Sequence, residues 1–276
     1  MKTRLSAYQT RFGAPITEPA AKTTAVIEQQ LKRSTCRSFK PGTLEDGVLE
    51  LLMASAQSAA SSGFLQTYSV LSLTTPEEKA KLFTTAQSRK AIGAVDGQNV
   101  GAINNCSVFL IWIADLHRVD FILRNTVSDP ELLKQPTRAE YHLKAVIDAT
   151  LASQAFAISA ESMGLGVMYC GAIRQIHAEH FEQEFNFPKL TFPIFGMAVG
   201  YPGDDFVSRP KPRLSTDIVL HKGKYNTLDN MDDLTEYNKI YEDKFDYFTR
   251  LAERMSVSYD KTAVSNSLKQ MGFNFD

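Results

Sequence analysis

Two short basic clusters have the composition of anion sites. The first is Arg33-Ser34-Thr35-Cys36-Arg37, and the second is Lys211-Pro212-Arg213. Arginine offers a planar fork of N–H donors, and serine or threonine adds single hydroxyl donors, which together suit a phosphate. Flanking prolines pre-set the backbone of the second cluster, so its cations lose little freedom on binding. Each cluster also has an ordinary reading: a solvated basic helix end favoured by the helix dipole, and a stiff exposed loop. Taken alone, that ordinary reading is the better account of both. Ser61-Ser62-Gly63-Phe64-Leu65-Gln66 could offer hydroxyls and an amide to a ligand edge, or its serines could cap neighbouring backbone. Gly164-Leu165-Gly166 with Tyr169-Cys170-Gly171-Ala172 could let backbone approach a flat ligand. Otherwise it reads as a helix cap running into a strand.

Other chemistries find less support. The glycine cluster is not GxGxxG and follows a helix, so a dinucleotide fold of the Rossmann type does not fit. His177 and His180 flank Glu179 without a third ligand, so no metal is expected and both read as surface histidines. Neither Ser61 nor Ser62 lies in a GxSxG elbow. The cysteines, Cys36, Cys106 and Cys170, form no CxxC, and their small odd number fits a reducing compartment. With 30 Lys+Arg against 31 Asp+Glu in 276 residues, the net charge of −1 gives no pull toward nucleic acid or an anionic membrane surface. The apolar run Val108–Ala114 is far shorter than the roughly 20 residues a membrane helix needs. The N-terminus lacks a secretory apolar stretch, so a cytoplasmic location is expected.

The elements that must carry these residues follow from periodicity and punctuation. Helical spacing of Val26, Ile27 and Leu31 predicts a helix over 20–32. Pro41-Gly42 is a turn, and Thr43 should cap a helix running to about Ala59. Strands are expected at 68–74, 107–114, 167–172 and 192–201, and Pro76 should open a short helix. Residues 115–140 read as a loop with short helices, 174–184 as a helix, and the tail from Asn230 to about Met255 as charged and helical. The clearest helix is 142–163: Leu143, Val146, Ile147, Leu151 and Ile158 share a face, and alanines fill the others. A helix so apolar or small all round should be buried on most sides, within a domain or at a dimer interface. Interleaved helices and strands give an α/β or α+β class.

The order of these weak signals is more specific than any one of them. An R-S/T-x-R element, a helix ending in SS-x-FLQ, a Gln before an apolar strand, GLG-x-x-Y-x-G-x-x-R, G-x-P and then KPR resemble the FMN-dependent nitroreductase superfamily. Within it the chain is most similar to the oxygen-insensitive NADPH nitroreductase and flavin reductase group. The resemblance spans roughly residues 25 to 228 and is most specific at 62–66, 164–174 and 211–214.

The resemblance implies an α+β nitroreductase-like fold: a central mixed or antiparallel sheet flanked by helices, in an intertwined homodimer built on a long central helix. It implies an arm at 1–20, an FMN-binding domain at 21–228 and a helical extension at 229–276 that packs on the dimer. Arg33, Ser34, Thr35, Arg37 and Arg213 would hold the FMN phosphate and ribityl chain. Ser61 and Ser62 would line the cofactor, and Gln66 would reach its ring from the other chain. Gln98, with Asn99, would meet the polar ring edge. Tyr169, Cys170, Gly171 and Ala172 would lie along the isoalloxazine, and Lys211 would face its N1 edge. The implied activity passes two electrons from NADPH or NADH to nitroaromatic, quinone or flavin acceptors by a ping-pong cycle, with no catalytic side chain, because the chemistry belongs to the flavin. A flavin-binding or flavin-delivery protein without turnover is the alternative on the same fold. Three departures stand out. Arg33 to Arg37 spans four residues where the family has three, so either Arg33 or Ser34 takes the matching position. Ala172 replaces a glycine. Arg250 is the candidate for an NADPH 2′-phosphate, in a loop shorter than the group's.

Overall fold

The computed structural model describes residues 6–12, 21–93, 98–239, 247–256, 260 and 262–275, without the side chains of Gln98, Asp233 and Glu236. Helices α1 (Ala7–Phe12), α2 (Ala25–Lys32) and α3 (Val48–Gln57) precede strand β1 (Tyr68–Leu73). Helices α4 (Pro76–Ala80), α5 (Ala86–Gly93) and α6 (Gln98–Asn105) lead to β2 (Val108–Asp115). Then come α7 (His117–Thr126), α8 (Pro130–Leu133), α9 (Ala139–Ser162), β3 (Gly166–Cys170), α10 (Ala178–Phe185) and β4 (Thr191–Gly200). Helices α11 (Thr216–Val219), α12 (Asp232–Lys239), α13 (Tyr247–Ser256) and α14 (Ala263–Gln270) follow. Contacts divide the chain into two compact units: Met1–Ser34 with Val207–Ser258, and Thr35–Phe206 with Tyr259–Asp276.

The larger unit is built on a four-stranded sheet in the order β1-β2-β4-β3, with every pair antiparallel. The class is α+β, and the sheet is antiparallel where the sequence left mixed pairing open. Strands β2 and β4 are apolar apart from Asp115 and Thr191 at their ends, and every residue in both is buried. They occupy the centre, where such runs belong. Pro193 stands in central β4 although it has no N–H to give the ladder. The register resolves this. Trp112 pairs with Phe195 and Ile113 with Pro193, so Ile194 is the extra residue of a bulge.

Helix α9 runs 24 residues and lies against β1, β2 and β3. Ala145, Ala149, Ala152, Ala157 and Ala160 form its buried face with Phe156, and small side chains let the helix sit close to the sheet. Leu143, Ile147 and Leu151, on successive turns of another face, are 42–55% exposed in the single chain. Within the single chain, burial is confined to the face toward the sheet and α3. Helix α3 packs along α9.

Helices α2 and α3 both start later than the sequence reading has them. Helix α2 begins at Ala25, because Thr24 takes the N-cap and accepts from the Ile27 N–H. Helix α3 begins after Gly47 rather than at Thr43, since Gly47 adopts left-handed backbone (φ +80°) that stops a helix from extending further back. Residues 117–126 form a full helix inside the stretch read as loop with short helices.

His142, in the first turns of α9, is ringed by Phe273 (4.6 Å between centroids), Phe275 (5.4 Å) and Phe192 (6.0 Å). Burial alone pushes its pKa down from 6.5 to about 4. Between those values the unfolded chain binds a proton there that the folded chain refuses, so stability falls as pH drops from 6.5 toward 4. His142→Phe should keep the ring contacts and remove this component. Melting curves across that interval should be flatter for the variant than for the parent protein, and equal slopes would refute the assignment.

Candidate functional site

The larger unit fixes Thr35 and Arg37 through their neighbours. Cys36 is fully buried and donates its N–H to the Val167 carbonyl (3.0 Å). Its Sγ lies where a Cβ on Gly166 would fall, so only glycine allows this approach. Phe39 is buried and bridges Pro202, and the Lys40 N–H donates to Tyr201 O (2.9 Å). Residues 36–40 thus run as an extended segment anchored at Cys36 and Phe39, with Arg37 exposed between the anchors and Thr35 half-buried before them. Burial pushes the Cys36 thiol up to about 11, which makes it a packing group and not a nucleophile.

At the other end of β3 the chain leaves the sheet through a 3-10 turn over Gly171–Gln175. Cys170 and Ala172 point into the core, whereas Gly171 is exposed. Tyr169 is half-buried, and its hydroxyl donates to Ser153 O on α9 (3.1 Å). The helix expected at 174–184 starts later, at Ala178, because Arg174 turns inward: its Nη1 donates to Ile194 O (2.6 Å), at the β4 bulge. A Cβ on Gly171 would come within 3.2 Å of the Arg174 Nη2, so this glycine admits a guanidinium on one side and leaves bare backbone on the other. Residues 167 to 171 follow a strand, so the Cys36–Arg37 segment beside Val167 and the exposed Gly171 backbone are about 13 Å apart.

Residues 61–67 are organised by a side chain that sequence reading passed over. Asp148 of α9 is 1% exposed. Its carboxylate accepts from Ser61 Oγ (2.8 Å), the Ser62 N–H (2.7 Å), and the N–H and Oγ1 of Thr67 (3.2 and 3.0 Å). Ser61 Oγ in turn accepts from the Gln66 N–H (2.7 Å). Burial raises the Asp148 pKa, and these hydrogen bonds more than offset that, so the carboxyl stays below its ordinary range. The network holds a tight turn in which Gly63, Phe64 and Gln66 have φ of +60°, +59° and +54°. Left-handed backbone costs a non-glycine residue of the order of 1–3 kcal/mol. Arg118 adds a brace, donating from Nη2 to Gln66 O (2.8 Å) and Tyr68 O (3.0 Å). Gln66 and Phe64 are left exposed at the tip. Ser61 and Ser62 thus spend their donors on Asp148. The one signal for this in the sequence is a lone acid among the alanines of 145–160.

The smaller unit carries the other cations. Arg33 caps the C-terminus of α2. Ser34 Oγ pairs with Ser208 Oγ (3.0 Å) and accepts from the Arg209 N–H (3.3 Å). Lys211 is exposed, and exposed Arg213 folds Nη1 back onto Lys211 O and Pro212 O (both 3.1 Å). Within this unit the structure therefore joins the 33–34 element to the segment that carries Lys211 and Arg213. The boundary between units falls between Ser34 and Thr35, inside the first basic cluster. Arg250 on α13 pairs with Glu253 (3.4 Å). Gln98 opens α6, and its side chain lies outside the described residues. His177 faces Asp260 (3.8 Å), but His180 is buried against Phe181 and Phe185, which corrects its reading as a surface residue. Among the described residues no three His, Cys, Asp or Glu side chains group as a metal site, and no helix is long and apolar enough to cross a membrane.

The fold has counterparts among solved structures. The NfrA1 structure from B. megaterium superposes with a TM-score of 0.78 at 28% identity over 91% of this chain and all of its own. The NfrA1 nitroreductase from B. subtilis gives 0.76 at 29%, over 90% of this chain and 99% of its own. The sequence agrees with the fold: the nitroreductase family model matches residues 31–201, and the chain belongs to the nitroreductase family. Similar curated proteins include an "NADPH-dependent oxidoreductase" of Staphylococcus haemolyticus, 35% identical over 73% of this chain and 74% of its own length. An "FMN reductase (NADPH)" of Bacillus subtilis is 31% identical over 88% and 91%.

Asp148→Asn should destabilise the fold by about 2–3 kcal/mol, the scale of hydrogen bonds to a charged acceptor. The denaturation midpoint should drop with little change in slope, and amide exchange should accelerate at 61–67 before β2 and β4. The parent protein should also lose stability below the ordinary carboxylate range, where Asp148 protonates, and the variant should lack that component. A variant as stable as the parent, with 61–67 still protected, would remove Asp148 from this role.

Proposed function

We propose that the chain binds FMN and, as a homodimer, passes electron pairs from NADPH or NADH to small nitro, quinone or flavin acceptors in a ping-pong cycle. Enzyme class and cofactor rest on membership of the nitroreductase family and on the relatives that are FMN reductases and NADPH-dependent oxidoreductases. The observation that carries the reading to residues is the arrangement along β3: an exposed arginine beside one end and exposed, Cβ-free backbone at the other. A ligand with an anion at one end and a flat ring at the other matches that layout.

Bound FMN supplies the two-electron chemistry, so no side chain of the protein needs to act as an acid, base or nucleophile. Arg37 and Thr35, with Arg33, Ser34 and Arg213, would hold the phosphate and ribityl chain. The bare backbone at Gly171, between Tyr169-Cys170 and Ala172, would lie along the ring. Lys211 would set a fixed positive charge against the ring edge that becomes negative on reduction. Ser61 and Ser62 would act through the turn they hold, which presents Gln66 to the site. Gln98 would meet the polar edge, and Arg250 the 2′-phosphate of NADPH. Nicotinamide and acceptor would take turns over one open face, so that proximity supplies much of the rate.

The dimer reading draws on α9. Its stripe of Leu143, Ile147 and Leu151 is apolar and open in the single chain. A twofold axis beside such a stripe would cover it with its own copy.

The purified protein should be yellow, and anaerobic NADPH or NADH should bleach the flavin band. A flavin carrier without turnover would keep its colour. Arg213→Ala should weaken FMN binding by about 1.5–3 kcal/mol, as expected for a charged hydrogen bond. Unchanged affinity would take Arg213 out of the phosphate site. Ile147→Glu should shift the protein toward monomer in sedimentation, and an intact dimer would move the interface away from α9.

A further inference from the structure

We propose that Arg11 is a positioning residue for the phosphate end of the flavin site. From α1 its guanidinium sets the separation of the two cation-bearing segments, 33–34 and 211–213. The inference rests on the reading that these segments hold the FMN phosphate.

Helix α2 has no buried residue. Burial of an apolar face, the usual anchor of a helix, is thus unavailable at the element that ends in Arg33 and Ser34. Arg11 anchors it instead. The side chain is 5% exposed, and its planar fork points in three directions. Nε and Nη2 donate to Leu31 O (3.1 and 2.9 Å), Nη2 also to Arg33 O (2.5 Å), and Nη1 to Lys211 O (2.8 Å). Leu31 and Arg33 supply carbonyls at the C-terminal end of α2, where the helix has no further N–H of its own to offer and where a cation is favoured. The third carbonyl belongs to the residue proposed to face the flavin ring. A reciprocal bond runs the other way, from the Arg213 N–H to Arg11 O (2.9 Å). A second tie closes the same gap: Ser208 Oγ donates to Lys32 O (3.2 Å) while pairing with Ser34.

On Arg33, Lys211 and Arg213 these bonds engage main chain only, so they fix where the cationic side chains start. Five N–H donors in one rigid plane suit the task. Lysine has a single ammonium at the end of a flexible stem and cannot reach all three carbonyls in that geometry. The N-terminal arm thereby acquires a role: α1 carries the brace.

The test compares FMN with riboflavin, which has the ring and ribityl chain but no phosphate. Apoprotein is titrated with each, for the parent, Arg11→Ala, Arg11→Lys and Arg213→Ala. The expected result is a preference for FMN over riboflavin that falls at least tenfold in Arg11→Ala and less in Arg11→Lys, with riboflavin affinity little changed. General loss of structure would weaken both ligands alike, and that result overturns the proposal. Should Arg213→Ala lose the preference while Arg11→Ala keeps it, the positioning role is wrong and the flavin reading survives. If neither variant changes the preference, the phosphate assignment fails and the proposal fails with it.

Discussion

The carboxylate of Asp148 sits in the middle of α9, where the helix presses its alanine face on the sheet, and it accepts four hydrogen bonds from residues 61–67. Removing a charge from water costs several kcal/mol, and partners this numerous are what make its burial tolerable. The consequence is structural coupling. The loop that follows α3 cannot shift without leaving a buried charge unmet, so β1 enters the sheet at a fixed point and the strained turn at 63–66 is held open. Helix, loop and edge strand form one piece, and Gln66 stands at its tip.

A second constraint acts on the opposite edge strand. Proline in β4 forces a bulge, the bulge exposes the carbonyl of Ile194, and Arg174 takes it. That inward turn of Arg174 bends the chain sharply after β3 and leaves Gly171 with one face open. At the start of β3, Gly166 lets Cys36 in and so seats Arg37 on the surface. Two glycines of the cluster that could admit a flat ligand are therefore used, on their inner sides, by the protein itself. Only the outer side of Gly171 remains for a flat partner.

The two units solve the positioning problem differently. In the larger one, burial does the work: each exposed candidate residue is flanked by side chains locked in the core. In the smaller one little is buried, and a guanidinium ties main-chain carbonyls instead. Arg11 and Asp148 are thus mirror cases. One is a buried cation that collects carbonyls, the other a buried anion that collects N–H and O–H groups, and neither needs to touch a ligand to matter.

Much of the framework was legible in the residues alone. Continuous apolar runs set β2 and β4, Thr75-Pro76 set the start of α4, and the alanine-rich pattern set α9, because each signal is local. The order of the basic, serine-glycine and glycine-tyrosine segments carried the family resemblance for the same reason. Helix starts at Ala25 and Val48 were harder, since a cap at Thr24 and left-handed backbone at Gly47 override the periodic pattern. The buried state of His180 depended on Phe181 and Phe185 meeting it in the fold. Arg11 gave no signal in the sequence, and Asp148 gave only that of a lone acid among alanines. Arg11 meets only backbone carbonyls, as far as two hundred residues away, and Asp148 meets amides and hydroxyls more than eighty residues away; groups so common in every chain form no side-chain pattern that announces the contact. The sequence by itself determined the four strands, most of the helices and the cation-bearing turns. Only the tertiary structure decided which charges are exposed for a ligand and which are buried to hold the rest in place, because that depends on which carbonyls and amides the fold leaves within reach.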